Sequence, residues 1–418
     1  VSNEALELLR DAEWLKRDGV QQVFALLGGD EDKIKAVGGI VRNTLLGDTS
    51  GDVDFATVHE PKDVMQLALA NGIKAIPTGL EHGTITLLVG GETYEVTTLR
   101  QDVKTDGRHA EVEFGTDWFE DAMRRDFTMN ALYAGPTGEL LDPLSGLEDC
   151  LNKNVRFIGD PKKRIKEDYL RILRFYRFFA YYGSGRPDAD GLRATVGLKS
   201  GLDQLSVERV WQELKKLLSA PDPSRALLWM RTTGVLASIL PEGEKWGIDA
   251  IHGVVAADAE LNWPADPMLR LCSILPPNPE RMVELSKRLK LSNAERDQLQ
   301  QWAMVDGVSS DMSDTDAKKL LYWGNVGAIE IAVKLSLANM RQKAGESIEA
   351  AEKAAGYARL LTAVQSWQKP KFPLQGQDLI DQGVEAGPKL GEALKAMEIA
   401  WVDSGFALTR EKLLSGLI

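Results

Sequence analysis

Two carboxylates one residue apart, Asp52 and Asp54, closely follow a glycine pair and an arginine in the stretch Val37-Gly38-Gly39-Ile40-Val41-Arg42. On a strand, residues i and i+2 point to one face, so Asp52 and Asp54 would project side by side. Neighbouring carboxylates repel unless positive charge sits between them. A magnesium ion with oxygen ligands meets that need, and two such ions can activate an attacking hydroxyl and stabilise a leaving pyrophosphate. Glu95, on a later strand, offers a third carboxylate. Gly38 and Gly39 let the backbone approach a ligand closely. Amides at the start of the following helix suit a triphosphate, and Arg42 adds a charge-assisted contact. Taken singly, Asp-x-Asp is a common solvated strand edge and Gly-Gly a common turn. The information lies in their combination, in this order, within one short stretch.

Two further clusters follow. Arg124-Arg125-Asp126-Phe127-Thr128-Met129-Asn130 places an arginine, able to bind phosphate, beside an aspartate, able to accept a bond from a ribose hydroxyl. The structural alternative is a salt bridge at a helix start. In Glu167-Asp168-Tyr169-Leu170-Arg171 through Arg174 and Arg177, helical spacing puts Asp168 and Arg171 on one face as i,i+3 neighbours. Arg174 and Arg177 continue that spacing and suit phosphates. The alternative is an exposed ion pair, worth a few tenths of a kcal/mol. That alternative must also account for nine Lys or Arg against three acids over residues 152–179, in a chain of net charge −12. A concentrated basic segment fits a phosphate-rich substrate.

The elements that would position these residues fall into two regimes. The first thirty residues read as helical, ended by Gly28-Gly29. Lys33 to Val37 reads as a strand, Val41 to Leu46 as a helix, and Asp52 to Val58 as a strand. Pro61 opens a helix through Leu69. Thr84 to Val89 and Thr93 to Leu99 read as paired strands joined by Gly90-Gly91. Residues 25–140 are thus a mixed α/β region. Beyond about residue 150, apolar residues recur at helical spacing in Tyr169 to Tyr182, Val207 to Leu218, Pro223 to Met230, Arg281 to Leu289 and Ala328 to Met340, and strand signals nearly vanish.

Composition excludes several classes. The chain has 418 residues, 44% hydrophobic and 27% charged, as in ordinary soluble proteins of two to four domains. No run of about 18 apolar residues suggests a membrane span. The amphipathic, mixed-charge start does not read as a signal peptide. Two distant cysteines, Cys150 and Cys272, argue against a disulfide scaffold or zinc site. The four histidines form no metal spacing, and only His252 lies beyond residue 109, which argues against a multi-histidine phosphohydrolase. The acidic sum argues against a general nucleic-acid coat but leaves room for a local basic cleft.

The stretch from Val37 to Asp54 resembles the first signature of the nucleotidyltransferase superfamily, in its class II tRNA nucleotidyltransferase and bacterial poly(A) polymerase branch. That family has Asp directly after the arginine, where this chain has Asn43. Arg124 to Leu132 resembles the second signature and Glu167 to Arg177 the third. The resemblance implies that Asp52 and Asp54 hold magnesium and, with Glu95, serve catalysis. It implies that Gly38, Gly39, Arg42, Arg125, Asp126, Asn130, Asp168, Arg171, Arg174 and Arg177 bind the nucleotide. In the family, the third-signature Asp and first Arg act as a template for the incoming base. Cytosine and adenine both present an amine donor beside a ring-nitrogen acceptor. Asp168 can accept from the amine and Arg171 can donate to the ring nitrogen, whereas uracil and guanine present the opposite pattern. A good bidentate contact discriminates by about 1–3 kcal/mol.

Three segments resemble features of CCA addition. Thr105-Asp106-Gly107-Arg108-His109-Ala110-Glu111 through Phe114 is similar to the loop associated with the switch to adenosine, or is an ordinary surface hairpin. Asp142 to Gly146 through Gly159 resembles a hinge, and Leu205 to Leu214 the last, structural helical signature. Gly376 to Ile380 with Gly383, Gly387-Pro388 and Gly391 is similar to the C-terminal segment of bacterial enzymes. Its glycines suit an RNA backbone or a tight helical hairpin.

The resemblance implies an α+β fold: a nucleotidyltransferase palm, a mixed sheet with helices, followed by an all-α neck, body and tail. The expected parts are an N-terminal helix (1–24), the palm (25–145), a neck with the base-selecting helix (146–220), a body (221–330) and a tRNA-binding tail (331–418). The implied activity is Mg²⁺-dependent transfer of CMP and AMP from CTP and ATP to a tRNA lacking all or part of its 3′ CCA, with release of pyrophosphate. The alternatives are an A-adding-only enzyme, a poly(A) polymerase or, more distantly, a non-catalytic RNA-binding protein. No membrane and no protein partner is expected. The expected location is cytoplasmic, or the mitochondrial matrix for a processed eukaryotic chain.

Overall fold

The run Ile34-Lys35-Ala36-Val37 is buried along its whole length and forms an interior strand of a seven-stranded sheet. The structure, a computed structural model, describes residues 2–106, 109–243 and 246–415, without the side chains at 2 and 101–112. It divides into two compact units, Val1–Ile239 and Leu240–Ile418, and the division falls inside the segment expected as the body.

In the first unit the strands are β1 (Ile34–Val37), β2 (Asp54–Thr57), β3 (Lys74–Gly79), β4 (Thr84–Val89), β5 (Glu92–Thr98), β6 (Arg100–Asp106), β7 (His109–Phe114), β8 (Tyr133–Ala134) and β9 (Leu140–Leu141). The main sheet runs β3-β4-β5-β2-β1-β8-β9, and β6 and β7 pair separately. All neighbours in the main sheet are antiparallel except β2 and β5, which run parallel with Phe55 opposite Val96. That register sets Asp54 beside Glu95, a proximity that strand spacing could not reveal.

Helices α1 (Ser2–Asp11) and α2 (Asp18–Leu26) precede the sheet, and the buried Trp14 indole between them donates to Thr44 Oγ1 at 2.9 Å. Thr44 lies on α3 (Gly39–Leu45), so the N-terminal helices brace α3 against β1. Gly38 joins β1 to α3 with φ +74°, a conformation that disfavours side-chain-bearing residues. α4 (Pro61–Ala70) begins at the expected proline. Residues 105–114, read as a loop like that of CCA-adding enzymes or as an ordinary hairpin, fall on the paired strands β6 and β7, while Gly107 and Arg108 lie outside the described residues. Sequence reading had no strand for β3, whose residues are mostly exposed and lack a clean alternation.

Strands β1 and β2 correct one expectation. Val37 pairs with Asp54, and at Gly38 the chain turns into α3. Residues 52 and 53 therefore find no ladder partner there, and Asp52 stands before β2 rather than on it.

Helix α5 (Trp118–Met123) precedes β8, and the other helices of the unit follow the sheet: α6 (Gly146–Leu151), α7 (Pro161–Glu167), α8 (Leu170–Tyr182), α9 (Ala189–Leu198), α10 (Val207–Leu218), α11 (Ser224–Thr233) and α12 (Val235–Ile239). Phe127 joins sheet to helices: its ring lies 4.9 Å from those of both Phe157 and Phe178, and Phe157 stacks on Phe175 at 5.5 Å. Aromatic packing of this kind adds about 0.5–1.5 kcal/mol per pair beyond area burial.

In the second unit every described regular element is helical. One core gathers Leu321, Ile329, Val333, Leu337 and Leu361 from the helices Asp314–Trp323, Val326–Lys343 and Ile348–Gln365. A second gathers Tyr322, Leu379, Trp401 and Val402, which packs the helices Gly376–Ile380 and Pro388–Asp403 together as a helical hairpin. No helix among the described residues is long and apolar enough to cross a membrane.

Candidate active site

One cleft of about 660 Å³ in the first unit collects most of the residues singled out from the sequence. Gly38, Gly39, Arg42, Asp54, Glu95, Arg125, Asp126, Asn130, Asp168, Arg171 and Arg174 all line it. Seven arginines face it against four carboxylates, a basic cleft in an acidic chain. Asp52 and Arg177 do not line it. Sequence reading missed Arg100, Arg124 and Arg209 as lining residues.

At one wall, Asp54 opens β2 and faces Glu95 on β5. Asp54 keeps accessible surface, yet protein surrounds enough of it that burial, with Glu95 and then Asp52, pushes its carboxyl up to about 6. Arg125 only partly opposes this. Among the described residues no group of three or more His, Cys, Asp or Glu could enclose a cation unaided. Magnesium, however, is commonly held by one or two carboxylates together with substrate phosphates. A surplus of negative charge that Arg125 only partly offsets fits such an ion, and Asp52 and Asp54 are the residues that would hold it.

Next to this wall, Asp121 on α5 holds both arginines of the second cluster. It is fully buried and accepts Arg124 Nε at 2.8 Å, Arg125 Nη2 at 3.0 Å and the Tyr133 hydroxyl at 2.8 Å. Burial pushes the Asp121 carboxyl up, but Arg125 and Arg124 outweigh it and hold the carboxyl below its usual range. The salt bridge considered for this cluster thus exists, but with Asp121, three and four residues earlier, and it orders Arg125 at the cleft.

Asp126 is saturated. Its Oδ1 accepts Phe127 N and Asn130 Nδ2, both at 2.9 Å, and its Oδ2 accepts Arg174 Nε at 2.8 Å and Arg174 Nη2. Burial raises its carboxyl, yet Arg174 and Asn130 outweigh burial and bring it to about 2. Asn130 is a bridge, since its Oδ1 accepts Arg42 Nη1 at 2.5 Å. Arg177 turns instead to the buried Glu213 on α10, at 2.7 Å.

Where Asp168 and Arg171 line the cleft, the expected helical pair takes another form. Asp168 is not helical: it has φ −154° and ψ 108° between α7 and α8. Its Oδ1 accepts the Leu170 N–H at 3.0 Å, a local side-chain bond that competes with continuing the helix. Asp168 Oδ2 accepts Arg209 Nη2 at 2.6 Å, while Arg171 Nη1 donates to Glu167 at 2.5 Å and to the Arg164 carbonyl at 2.9 Å. Asp168 and Arg171 therefore share the cleft without pairing to each other. Each Asp168 oxygen keeps a second acceptor site, and Arg171 Nε and Nη2 make no hydrogen bond to the described residues. Arg164 also donates through Nη2 to the Arg125 carbonyl at 2.6 Å, tying this wall to the second cluster.

The family model for the poly A polymerase head domain matches residues 34–156, and that for a probable RNA and SrmB-binding site of polymerase A matches 190–246. The mitochondrial CCA tRNA nucleotidyltransferase 1 of Mus musculus is 34% identical over 402 residues, covering 95% of this chain and 89% of the relative. The CCA-adding enzyme of Streptococcus gordonii is 31% identical, covering 89% and 91%. Among solved structures, the Bacillus stearothermophilus CCA-adding enzyme in complex with CTP superposes with a TM-score of 0.73 at 28% identity, over 96% of this chain and 97% of the other.

Proposed function

This chain belongs to the CCA tRNA nucleotidyltransferase family, and from that premise we propose that it adds CCA to the 3′ end of tRNA, taking CMP and AMP from CTP and ATP without a nucleic-acid template. One observation carries the reading furthest. A single cleft is lined by Asp54 and Glu95, by Asp168 and Arg171, and by arginines. Those are the groups needed to read a base and to hold its triphosphate near carboxylates.

The tRNA 3′ hydroxyl attacks the α-phosphorus. A new oxygen–phosphorus bond forms as the hydroxyl gives its proton to solvent, the bond to the bridging oxygen of the β-phosphate breaks, and pyrophosphate leaves with that electron pair. Magnesium held by Asp52 and Asp54 would supply charge neutralisation at the phosphates and lower the pKa of the attacking hydroxyl. Glu95 keeps the negative field at that wall. Gly38, Gly39 and Arg42 receive the phosphates, while Arg125 and Asp126 stand at the ribose and phosphate end with Asn130 and Arg174 fixed by Asp126. Asp168 accepts the amine of cytosine or adenine, and Arg171 Nε or Nη2 donates to the ring nitrogen. Because hydrogen-bond donors and acceptors are already placed, positioning and electrostatics supply most of the rate. The place of action is a compartment that holds tRNA, the cytoplasm or the mitochondrial matrix.

The test is to incubate the protein with magnesium and a tRNA ending at its discriminator base, give CTP and ATP separately and together, and sequence the 3′ ends. Growth by CCA that then stops supports the proposal. Growth only from a CC-ended tRNA makes the chain an A-adding enzyme, and a long A tail makes it a poly(A) polymerase. Tight tRNA binding with no growth in any arm makes it a non-catalytic binder.

A further inference from the structure

Arg42 is 5% exposed, yet it makes no ion pair with any described residue. All its hydrogen-bond partners are neutral. Nε and Nη2 donate to Asn43 Oδ1 at 3.1 and 2.8 Å, Nη1 to Asn130 Oδ1 at 2.5 Å, and Nη2 to the Tyr182 hydroxyl at 2.6 Å. The Tyr182 ring covers the guanidinium with its centroid 3.8 Å away. A buried charge left without a counter-charge is costly. The nearest carboxylate influence, Asp126, already has its four acceptor positions filled, two of them by Arg174. Burial accordingly shifts the Arg42 guanidinium toward losing its proton. An aspartate at position 43 would have supplied the missing charge, whereas Asn43 supplies only the acceptor geometry.

Arg42 lines the cleft beside Gly38 and Gly39, while Tyr182, the last residue of α8, stands outside the cleft lining. We propose that Tyr182 is a positioning residue of the phosphate subsite: its ring and hydroxyl hold Arg42 from behind without neutralising it, and the phosphates of the incoming nucleotide supply the missing anion. The inference rests on reading the cleft as a nucleotide site. It makes the base-reading helix and the phosphate-binding helix meet at one guanidinium, so a change at Tyr182 acts on the triphosphate and is blind to the base.

Three substitutions test it in the full chain: Tyr182→Leu, Tyr182→Phe and Asn43→Asp. The readouts are KM and kcat for CTP and ATP, inhibition by inorganic tripolyphosphate, and the melting-temperature rise that tripolyphosphate produces. Tyr182→Leu should raise KM for CTP and ATP by the same factor, about threefold to tenfold, and weaken tripolyphosphate equally. Tyr182→Phe keeps the ring and should fall between. Asn43→Asp, which adds the counter-charge, should also weaken tripolyphosphate. Unchanged KM in folded Tyr182 variants, or unequal effects on CTP and ATP, overturns the proposal. So does a fall in kcat and melting temperature without a change in KM. Should Tyr182→Leu not fold, Tyr182→Phe and Asn43→Asp still decide. If the wild type transfers no nucleotide, the enzymatic reading fails, while the tripolyphosphate shift still judges the anion subsite.

Discussion

Arg209 Nη2 donates to Asp168 Oδ2 at 2.6 Å across 41 residues of sequence, so the carboxylate assigned to reading the base is oriented by α10 and not by the arginine three residues away. Asp168 then offers the cleft its remaining acceptor sites in a fixed direction.

Removing this partner should loosen the reading of the base. Arg209→Ala is expected to lower kcat/KM for CTP and ATP together by roughly fivefold to thirtyfold, the worth of a part-buried charge-assisted bond of about 1–2 kcal/mol. Steady-state kinetics on a CCA-lacking tRNA measure it. An unchanged kcat/KM would mean that Asp168 needs no support from α10.

Asp54 trades stability for function. Its carboxyl binds a proton more tightly in the folded chain than in the unfolded one, up to about 6. The associated stability is fully present below the ordinary carboxylate range and is lost as pH rises through about 6. At pH 7.5 the charged Asp54 therefore burdens the ligand-free fold. Asp54→Asn should abolish transfer yet stabilise the ligand-free protein by about 1 kcal/mol at pH 7.5, the linkage value being reduced by solvent screening. The gain should vanish near pH 4. Calorimetry at the two pH values decides, and a destabilised variant at pH 7.5 would contradict the account.

Asp126 carries the opposite sign. Its carboxyl is brought to about 2, below the ordinary carboxylate value of 3.8, so its contribution is present above that value and lost as pH falls from about 4 through about 2. Asp126→Asn should cost roughly 2 kcal/mol at pH 7 and progressively less toward pH 2.5. Urea midpoints across that range follow the gap between variant and wild type. A gap that stays constant would show that Arg174 does not hold Asp126 through its charge.

Much of the site was legible because its groups sit in short contiguous stretches. Gly38 to Arg42, the carboxylates at 52 and 54, and Arg125 with Asp126 are local patterns, and the cleft gathers nearly all of them. The strands β1, β4 and β5 were legible as short runs bounded by Gly38-Gly39 and joined by Gly90-Gly91. What remained hidden depends on contacts between distant residues. The parallel register that sets Asp54 beside Glu95 belongs to the sheet topology. The hold of Arg209 on Asp168, and of Glu213 on Arg177, comes from the packing of α10 against α8. Asp121 could have been found, since it lies three and four residues before Arg124 and Arg125, the spacing of helical ion pairs. The break at Asp168 was masked because the helical spacing of Tyr169 to Tyr182 was carried back across it, although Asp is a residue that bonds its own backbone and stops helices.

The most direct measurement is the selectivity of Arg171→Ala: kcat/KM for CTP, ATP, UTP and GTP on a tRNA lacking its CCA, compared with the wild type. Loss of one arm of a bidentate base contact should narrow the preference for CTP over UTP by about tenfold or more, while Asp54-dependent transfer persists. A variant that transfers nucleotide yet rejects UTP and GTP as strongly as the wild type would contradict the assignment of Asp168 and Arg171 as the reader of the base.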